Sequence, residues 1–425
     1  MDHITFLVSM VIVTALAFDF TNGFHDTANA MATSIATGAL RPKVAVAISG
    51  VLNLGGAFLS TEVAKTISGG IVDDQLVTPG MIFAGLIGAI VWNLTTWLLG
   101  LPSSSSHALF GGLIGAVWVG AGRHGVNFGE VLDKILIPAL ASPLVAGAAA
   151  LVATYLAYRL TAKVKDVGTG KDVKGVGTGK DVKGGVGKDV EGKDGESGGG
   201  AEEPQGDKDT TVTRGFRAGQ VVSASLVSLA HGTNDAQKTM GVITLALISC
   251  GALGPGSGPP VWVIFTAGAA IAAGTYVGGW RIIRTMGKGI VDIQPPQGFA
   301  AESSASAVIL SSASVGFALS TTQVCSGGIL GAGMGRRLAE VRWGVAGQIA
   351  LAWLVTLPAA AAVGAVAASA VVHGGTLGTV LIAVAAMVVA TVIVLLSRRN
   401  PVDARNVNDP VEVPRREVAD VKAGV

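Results

Sequence analysis

The sequence predicts an all-α integral membrane protein with about ten to twelve membrane segments, several of them broken. Three observations predict it. Half of the 425 residues are hydrophobic, only 14% are charged, and the mean hydropathy is +0.58, a composition that suits a bilayer and not water. The charges are segregated: residues 161–213 hold 20 of the 58 Asp, Glu, Lys and Arg side chains and residues 398–425 hold 11, leaving 27 for the other 344 residues. Apolar runs of about 20 residues, enough to cross a hydrocarbon core, recur along the remainder. An ionisable side chain left inside such a run is costly, and is read first as functional.

In chain order, continuous apolar runs occupy residues 4–20, 44–60, 81–101, 135–158, 217–231, 261–280, 343–372 and 375–396. Shorter runs at 23–40, 103–121, 233–250, 300–317 and 321–335 are interrupted by Gly, Ser, Thr or Asn and read as broken helices or hairpins. The first run lacks the basic region of a secretory signal and continues past any cleavage site, so it is expected to remain as a membrane segment. Residues 161–213 nearly repeat a phrase, Gly170-Lys171-Asp172-Val173-Lys174-Gly175 and Gly179-Lys180-Asp181-Val182-Lys183-Gly184. Such a mixture of Gly and alternating charge cannot bury enough apolar surface to fold, and is expected to be a flexible linker. The chain then divides into membrane halves 1–160 and 214–397, the linker 161–213 and a polar tail 398–425. Arg159, Lys163, Lys165, Arg214 and Arg217 flank the linker and favour its cytoplasmic placement.

Other classes are set aside. No basic face interleaved with aromatics points to nucleic acid. Cys250 and Cys325 have no metal-ligand spacing and read as small core residues. Glu62 and Lys65 are spaced as a local helix ion pair.

The halves repeat each other. Gly23-Phe24-His25-Asp26-Thr27-Ala28-Asn29-Ala30-Met31 matches Gly232-Thr233-Asn234-Asp235-Ala236-Gln237-Lys238-Thr239-Met240 in length, in the Asp, and in the flanking Gly and Met. Further on, the run Ser104 to Ala116 matches Ser320 to Ala332. Two matched motifs in the same order indicate an internal duplication, and paired interrupted segments of this kind point to a transporter's substrate site.

Each hydroxyl cluster, Ser104-Ser105-Ser106 with His107 and Ser320-Thr321-Thr322 with Gln323, precedes a Gly-rich apolar run. The hydroxyls then sit at a helix N-terminus beside free backbone N–H groups, a combination that attracts anions. Capping and small-residue packing would explain one such cluster; its duplicate favours a ligand site. Neutral donors also suit release, whereas several Arg side chains would hold an anion too firmly. Asp26 and Asp235, with Asn22, Asn29 and Asn234 beside them, are expected at a break in a helix, where they could coordinate Na⁺ or a divalent ion or accept a proton. The competing reading makes Asp235 a partner for Lys238. His25, His107 and His231 adjoin these motifs, and His107 is favoured for the anion because it extends the serine run. Glu302 opens the run into the second cluster and serves either cation coupling or helix capping. Asn93 and Thr95 are candidate supporting groups, and Asp19 a boundary residue.

At these residues the chain resembles the inorganic phosphate transporter (PiT) family, in particular low-affinity phosphate permeases of bacterial type. The phrases that carry the likeness are Gly23 to Asp26 with Ala28, Asn29, Ala30 and Thr33; Gly232 to Asp235; Pro102 with Ser103 to His107; Gly298-Phe299 to Glu302; and Ser320-Thr321-Thr322. The resemblance implies inverted repeats, a homodimer and a multi-pass protein of the plasma or inner membrane. It implies symport of phosphate with H⁺ or Na⁺, while some bacterial relatives carry metal–phosphate complexes, with Mg²⁺ or another divalent ion, and others sulfate. Carried over, it places phosphate on Ser104, Ser105, Ser106, Thr321 and Thr322, and cations near Asp26, Asn29, Asn234 and Asp235. Two departures stand out. Gln323 and Ala318 replace a His and a Pro common in relatives, and Asn53 stands where sodium-coupled eukaryotic relatives carry Glu, which favours H⁺. No resident cofactor is implied. Against a membrane hydrolase, Ser106 and His107 are adjacent on a helix and do not face each other. A channel and a sulfate permease remain the rivals.

Overall fold

Long apolar stretches propagate as single helices here, even across Pro143 and Pro358, and this decides how the predicted runs assemble. The computed structural model describes residues 3–73, 75–169, 211–336 and 341–409. In order, the helices are α1 (His3–Ala36), α2 (Pro42–Gly56), α3 (Glu62–Gly69), α4 (Pro79–Leu99), α5 (Ser105–Ala121), α6 (Phe128–Val131), α7 (Ile137–Thr169), α8 (Thr211–Ser249), α9 (Val261–Val277), α10 (Trp280–Arg284), α11 (Pro295–Ser314), α12 (Thr321–Arg336) and α13 (Trp343–Ser397). Ten of these have fifteen residues or more, and α13 is interrupted at Gly375, whose φ is 54° and ψ −133°. Four of the described helices (α1, α4, α13 and a run Phe128–Thr161 that includes α7) are long and apolar enough to cross a bilayer alone, and a pair bent by 62°, Val261–Val277 with Trp280–Gly289, makes a fifth. The others fall short because α2, α5 and α12 are brief and α8 and α11 carry polar residues.

The Asp motifs do not break their helices. Runs 4–20 and 23–40 join in α1, and 217–231 and 233–250 join in α8, with Asp26 and Asp235 in mid-helix. The reason lies in Gly23 and Gly232, which serve close packing and not a turn. A Cβ on Gly23 would lie 2.3 Å from the Ile271 carbonyl oxygen of α9, and one on Gly232 would lie 2.2 Å from the Asn53 carbonyl oxygen of α2. Each motif helix therefore packs backbone to backbone against the second helix of the other half.

Two hairpins complete the frame, α4–α5 and α11–α12. Each starts at a Pro (Pro79, Pro295) and turns near a glycine of positive φ, Gly100 at 67° and Gly316 at 79°, a conformation that a Cβ disfavours. Each is covered by the last helix of the opposite half: α13 lies on α4–α5, and α7 on α11–α12. Gly111 and Gly115 meet the carbonyls of Leu357 and Ala361, and Gly327 and Gly331 meet those of Pro143 and Gly147. Large apolar side chains such as Leu140, Leu144, Leu354 and Val366 are exposed on the outside, as a bilayer solvent requires.

Of the linker, residues 170–210 lie outside the described residues; α7 continues through Thr169 and α8 begins at Thr211, so helix enters the predicted linker from both ends. The start of the tail is docked, with Arg281 donating to the carbonyls of Ser397 and Asn400, and Val407 buried. Glu62 and Lys65 form the expected surface pair at 2.8 Å.

Candidate functional site

The crossing of α1 and α8 brings the two acids together. Asp26, Asp235 and His231 are all buried, and a ligating atom from each lies within 4.8 Å of the others. Spacing explains part of this: His231 is one helical turn before Asp235, with its Nε2 3.3 Å from Asp235 Oδ2. Two carboxylates and an imidazole at this spacing suit a small cation.

The hydroxyl clusters do begin helices, as the sequence predicts. Ser104 caps α5 by accepting from the His107 backbone N–H, and Ser320 accepts in the same way from Gln323 at α12. The next residue in each cluster donates to an acid: Ser105 to Asp26 Oδ2 at 2.9 Å, and Thr321 to Asp26 Oδ2 at 3.3 Å and Asp235 Oδ2 at 3.2 Å. Thr322 donates to Asp26 Oδ1, and Asn29 donates to both Thr321 and Thr322. Ser106 donates to the Leu319 carbonyl just ahead of α12. The two helix starts and the two acids are thus one connected centre.

Three more groups complete it. His25 Nδ1 lies 2.6 Å from Asp26 Oδ1, while its Nε2 meets Thr96 and Ser103, themselves 2.8 Å apart. Asn234 donates to Asp235 Oδ1 and to the Leu319 carbonyl. Lys238, fully buried, donates to Asp235 Oδ1 at 2.5 Å, to Ser106 and to the Leu319 carbonyl. An ammonium has three N–H donors, and all three have acceptors here. Removing one partner of such a buried pair costs roughly 3–5 kcal/mol.

Other predicted residues lie apart or in a different register. Glu302 makes no hydrogen bond to either Asp among the described residues; Thr33, Ser34 and Ser223 donate to its carboxylate, at 2.5, 2.6 and 2.5 Å. It does not cap α11, whose first turn is closed by Gln297. Thr33 belongs to the first family phrase, whereas Ser34 and Ser223 had no sequence signal, because a lone Ser or Thr in an apolar run most often bonds its own helix. Thr96, not Thr95, reaches the centre, since Thr95 bonds the Val91 carbonyl of its own helix. The buried Asn93 side chain, His107 Nδ1 and Gln323 Oε1 have no hydrogen-bond partner among the described residues. Asp19 is fully buried and not a boundary residue, with the side chains of Thr239 and Asn22 beside its carboxylate.

With this geometry in view, comparison with known proteins is decisive. The profile of the phosphate transporter family matches residues 22–364, a span that covers both Asp motifs and both hydroxyl clusters. The chain belongs to that family. Among similar members of the phosphate transporter family, a probable low-affinity inorganic phosphate transporter of Mycobacterium bovis is 55% identical over 95% of this chain and 87% of its own length. A protein of the same description from Bacillus subtilis is 38% identical over 86% of this chain and 98% of its own. A solved structure described as the sodium-dependent phosphate transporter superposes with a TM-score of 0.68, covering 85% of this chain and 97% of that one at 23% identity. It shares this fold. The family is one of transporters, in agreement with the reading of the residues against an enzyme.

Proposed function

We propose that this chain is a symporter that carries inorganic phosphate across the cell membrane together with a cation, with the anion held between the starts of α5 and α12. One observation carries this reading: Ser105 and Thr321, from matching ends of two hairpins, both donate to Asp26 Oδ2. Hydroxyls that donate to a carboxylate are withheld from an anion. A cation or proton on Asp26 takes over those oxygens and releases Ser105, Thr321 and Thr322 toward phosphate, where the free N–H groups of both helix starts add to them. Neither ligand then binds well without the other, which is the requirement for coupling. In this reading Ser104 and Ser320 shape the helix starts, Ser106, His107 and Gln323 adjoin the anion, and Asn29, Asn234 and Asp235 complete the cation side.

The reciprocal exchange of helices between the halves supports a two-fold relation, and we take it to be the inverted repeat of an alternating-access carrier. Asn53, a neutral group that meets His231 and Thr275, favours H⁺ as the coupling ion; the sodium-dependent neighbour supports Na⁺ as the alternative. Carriage of phosphate as a complex with Mg²⁺ or another divalent ion, a homodimer, and residence in the plasma or inner membrane belong to the same proposal. Sulfate is the rival substrate, but it has no proton to donate to a site built with carboxylate acceptors.

Radiolabelled phosphate uptake into proteoliposomes, with pH, Na⁺ and Mg²⁺ varied separately and sulfate added as competitor, tests the reading. Uptake should follow an inward proton gradient and resist sulfate. Uptake indifferent to every cation gradient indicates a channel, and equal competition by sulfate indicates a sulfate permease.

A further inference from the structure

We infer that Lys238 is a tethered cation, standing in the second half where the first half takes a mobile one. Aligning the two Asp motifs puts Lys238 opposite Asn29, each three residues after its acid. Around those two positions the halves match: Ser105 donates to Asp26 Oδ2 as Thr321 donates to Asp235 Oδ2, and His25 meets Asp26 Oδ1 as Asn234 meets Asp235 Oδ1. At the compared position the chemistry is opposite. Asn29 Oδ1 is buried and has no hydrogen-bond partner among the described residues, so a carbonyl oxygen is left beside Asp26 as a ligand for a cation. Lys238 instead puts its ammonium 2.5 Å from Asp235 Oδ1, and the Ser106 hydroxyl and the Leu319 carbonyl accept its other two N–H groups. A carboxylate, a hydroxyl and a backbone carbonyl are the oxygen donors that a bare Na⁺ would take. The ammonium therefore fills a cation position with a charge that never leaves the protein.

Charge balance makes the assignment consequential. Asp19, Asp26 and Asp235 are buried about this centre, with His25 beside Asp26 and His231 beside Asp235, and Lys238 is the one buried Lys or Arg among the described residues, so it supplies the one ammonium or guanidinium set against these acids before any anion arrives. Glu302 sits in its separate hydroxyl cage. A fixed ammonium at Asp235 lowers the number of mobile cations needed per phosphate by one. It also links the second half to the anion site through Ser106. This inference rests on the reading of Asp26 and Asp235 as a coupling centre.

The test compares wild type, K238N and D26N in two measurements, phosphate uptake into proteoliposomes with Na⁺ or choline, and equilibrium binding of radioactive Na⁺ to the purified protein. K238N should acquire a stimulation by Na⁺ of about ten-fold that wild type lacks, move one more positive charge per phosphate, and bind one more Na⁺ per chain, lost again in K238N/D235N. A K238N protein that keeps the wild-type cation response and binds no additional Na⁺ overturns the inference, as does one that binds phosphate normally yet gains neither property. Should K238N be lost from the membrane, Asn29→Lys carries the test: a second tethered ammonium should remove the cation dependence of uptake, and its persistence in a folded N29K protein rejects the idea. Failure of the underlying reading looks different, for then wild type follows no cation gradient and D26N transports as wild type does.

Discussion

The first and second halves of this chain share a frame and differ in chemistry. Positions that meet a backbone are the same in both: Gly23 and Gly232 at the helix crossings, Gly111 and Gly327 under the opposing terminal helices, Ser104 and Ser320 at the helix caps. Positions that face the centre have diverged. Asn29 stands opposite Lys238, His25 opposite Asn234, and His107 opposite Gln323. Counting along the hairpins, Glu302 stands opposite Leu86, which is part of the apolar core. A backbone contact tolerates no added atom, whereas a side chain in a polar centre can change identity if its hydrogen bonds are re-made. The two halves thus share backbone contacts and helix caps while the ionic content at their centre differs.

Substitution at paired positions can break or sharpen that contrast. The largest effect is expected from Asp26→Asn and Asp235→Asn, each reducing coupled phosphate uptake by on the order of 100-fold. They should differ in stability: D235N strands the Lys238 ammonium, which costs roughly 3–5 kcal/mol, so it should melt well below D26N in detergent. Equal melting temperatures would deny the ion pair its structural weight. Glu302→Gln comes next. Because Glu302 is bonded outside the centre, uptake rate should fall by about ten-fold while equilibrium phosphate binding stays within about two-fold of wild type. A matching loss of affinity would draw Glu302 into the anion site. Smaller still are Ser104→Ala and Ser320→Ala, expected to cost about 1 kcal/mol each as lost caps and to lower the melting temperature alike. Unequal shifts would show that one hairpin, and not both, is held by its cap. Removal of about half of residues 170–208 should change initial uptake by less than about two-fold, since closure cost varies slowly with length while the connection stays long.

Much of this was legible before any coordinates, and the division has a physical basis. Membrane residence follows from apolar runs, and the helix starts at Ser104 and Ser320 follow from hydroxyls placed ahead of Gly-rich apolar sequence. The continuity of α1 and α8 was not legible, because a Gly beside an Asp in an apolar run looks like a break until the neighbouring backbone is seen 2.3 Å from its missing Cβ. The cage around Glu302 was equally hidden, since Thr33, Ser34 and Ser223 come from two other helices. Thr96 was missed by one position: sequence places a polar pair on α4 without saying which member faces inward. The pairing of Lys238 with Asp235 was legible as the competing reading of that acid, and the motif alignment adds that its twin position holds an amide.

The claim at the centre of this account is that the anion sits between two equivalent helix starts. Equilibrium binding of radiolabelled phosphate to purified wild type, Ser105→Ala and Thr321→Ala measures it most directly. Each substitution should weaken binding by roughly 10- to 100-fold, the loss of a hydrogen bond to a charged group, with the two losses similar. Wild-type affinity in either variant would contradict the claim and leave phosphate in contact with one half alone.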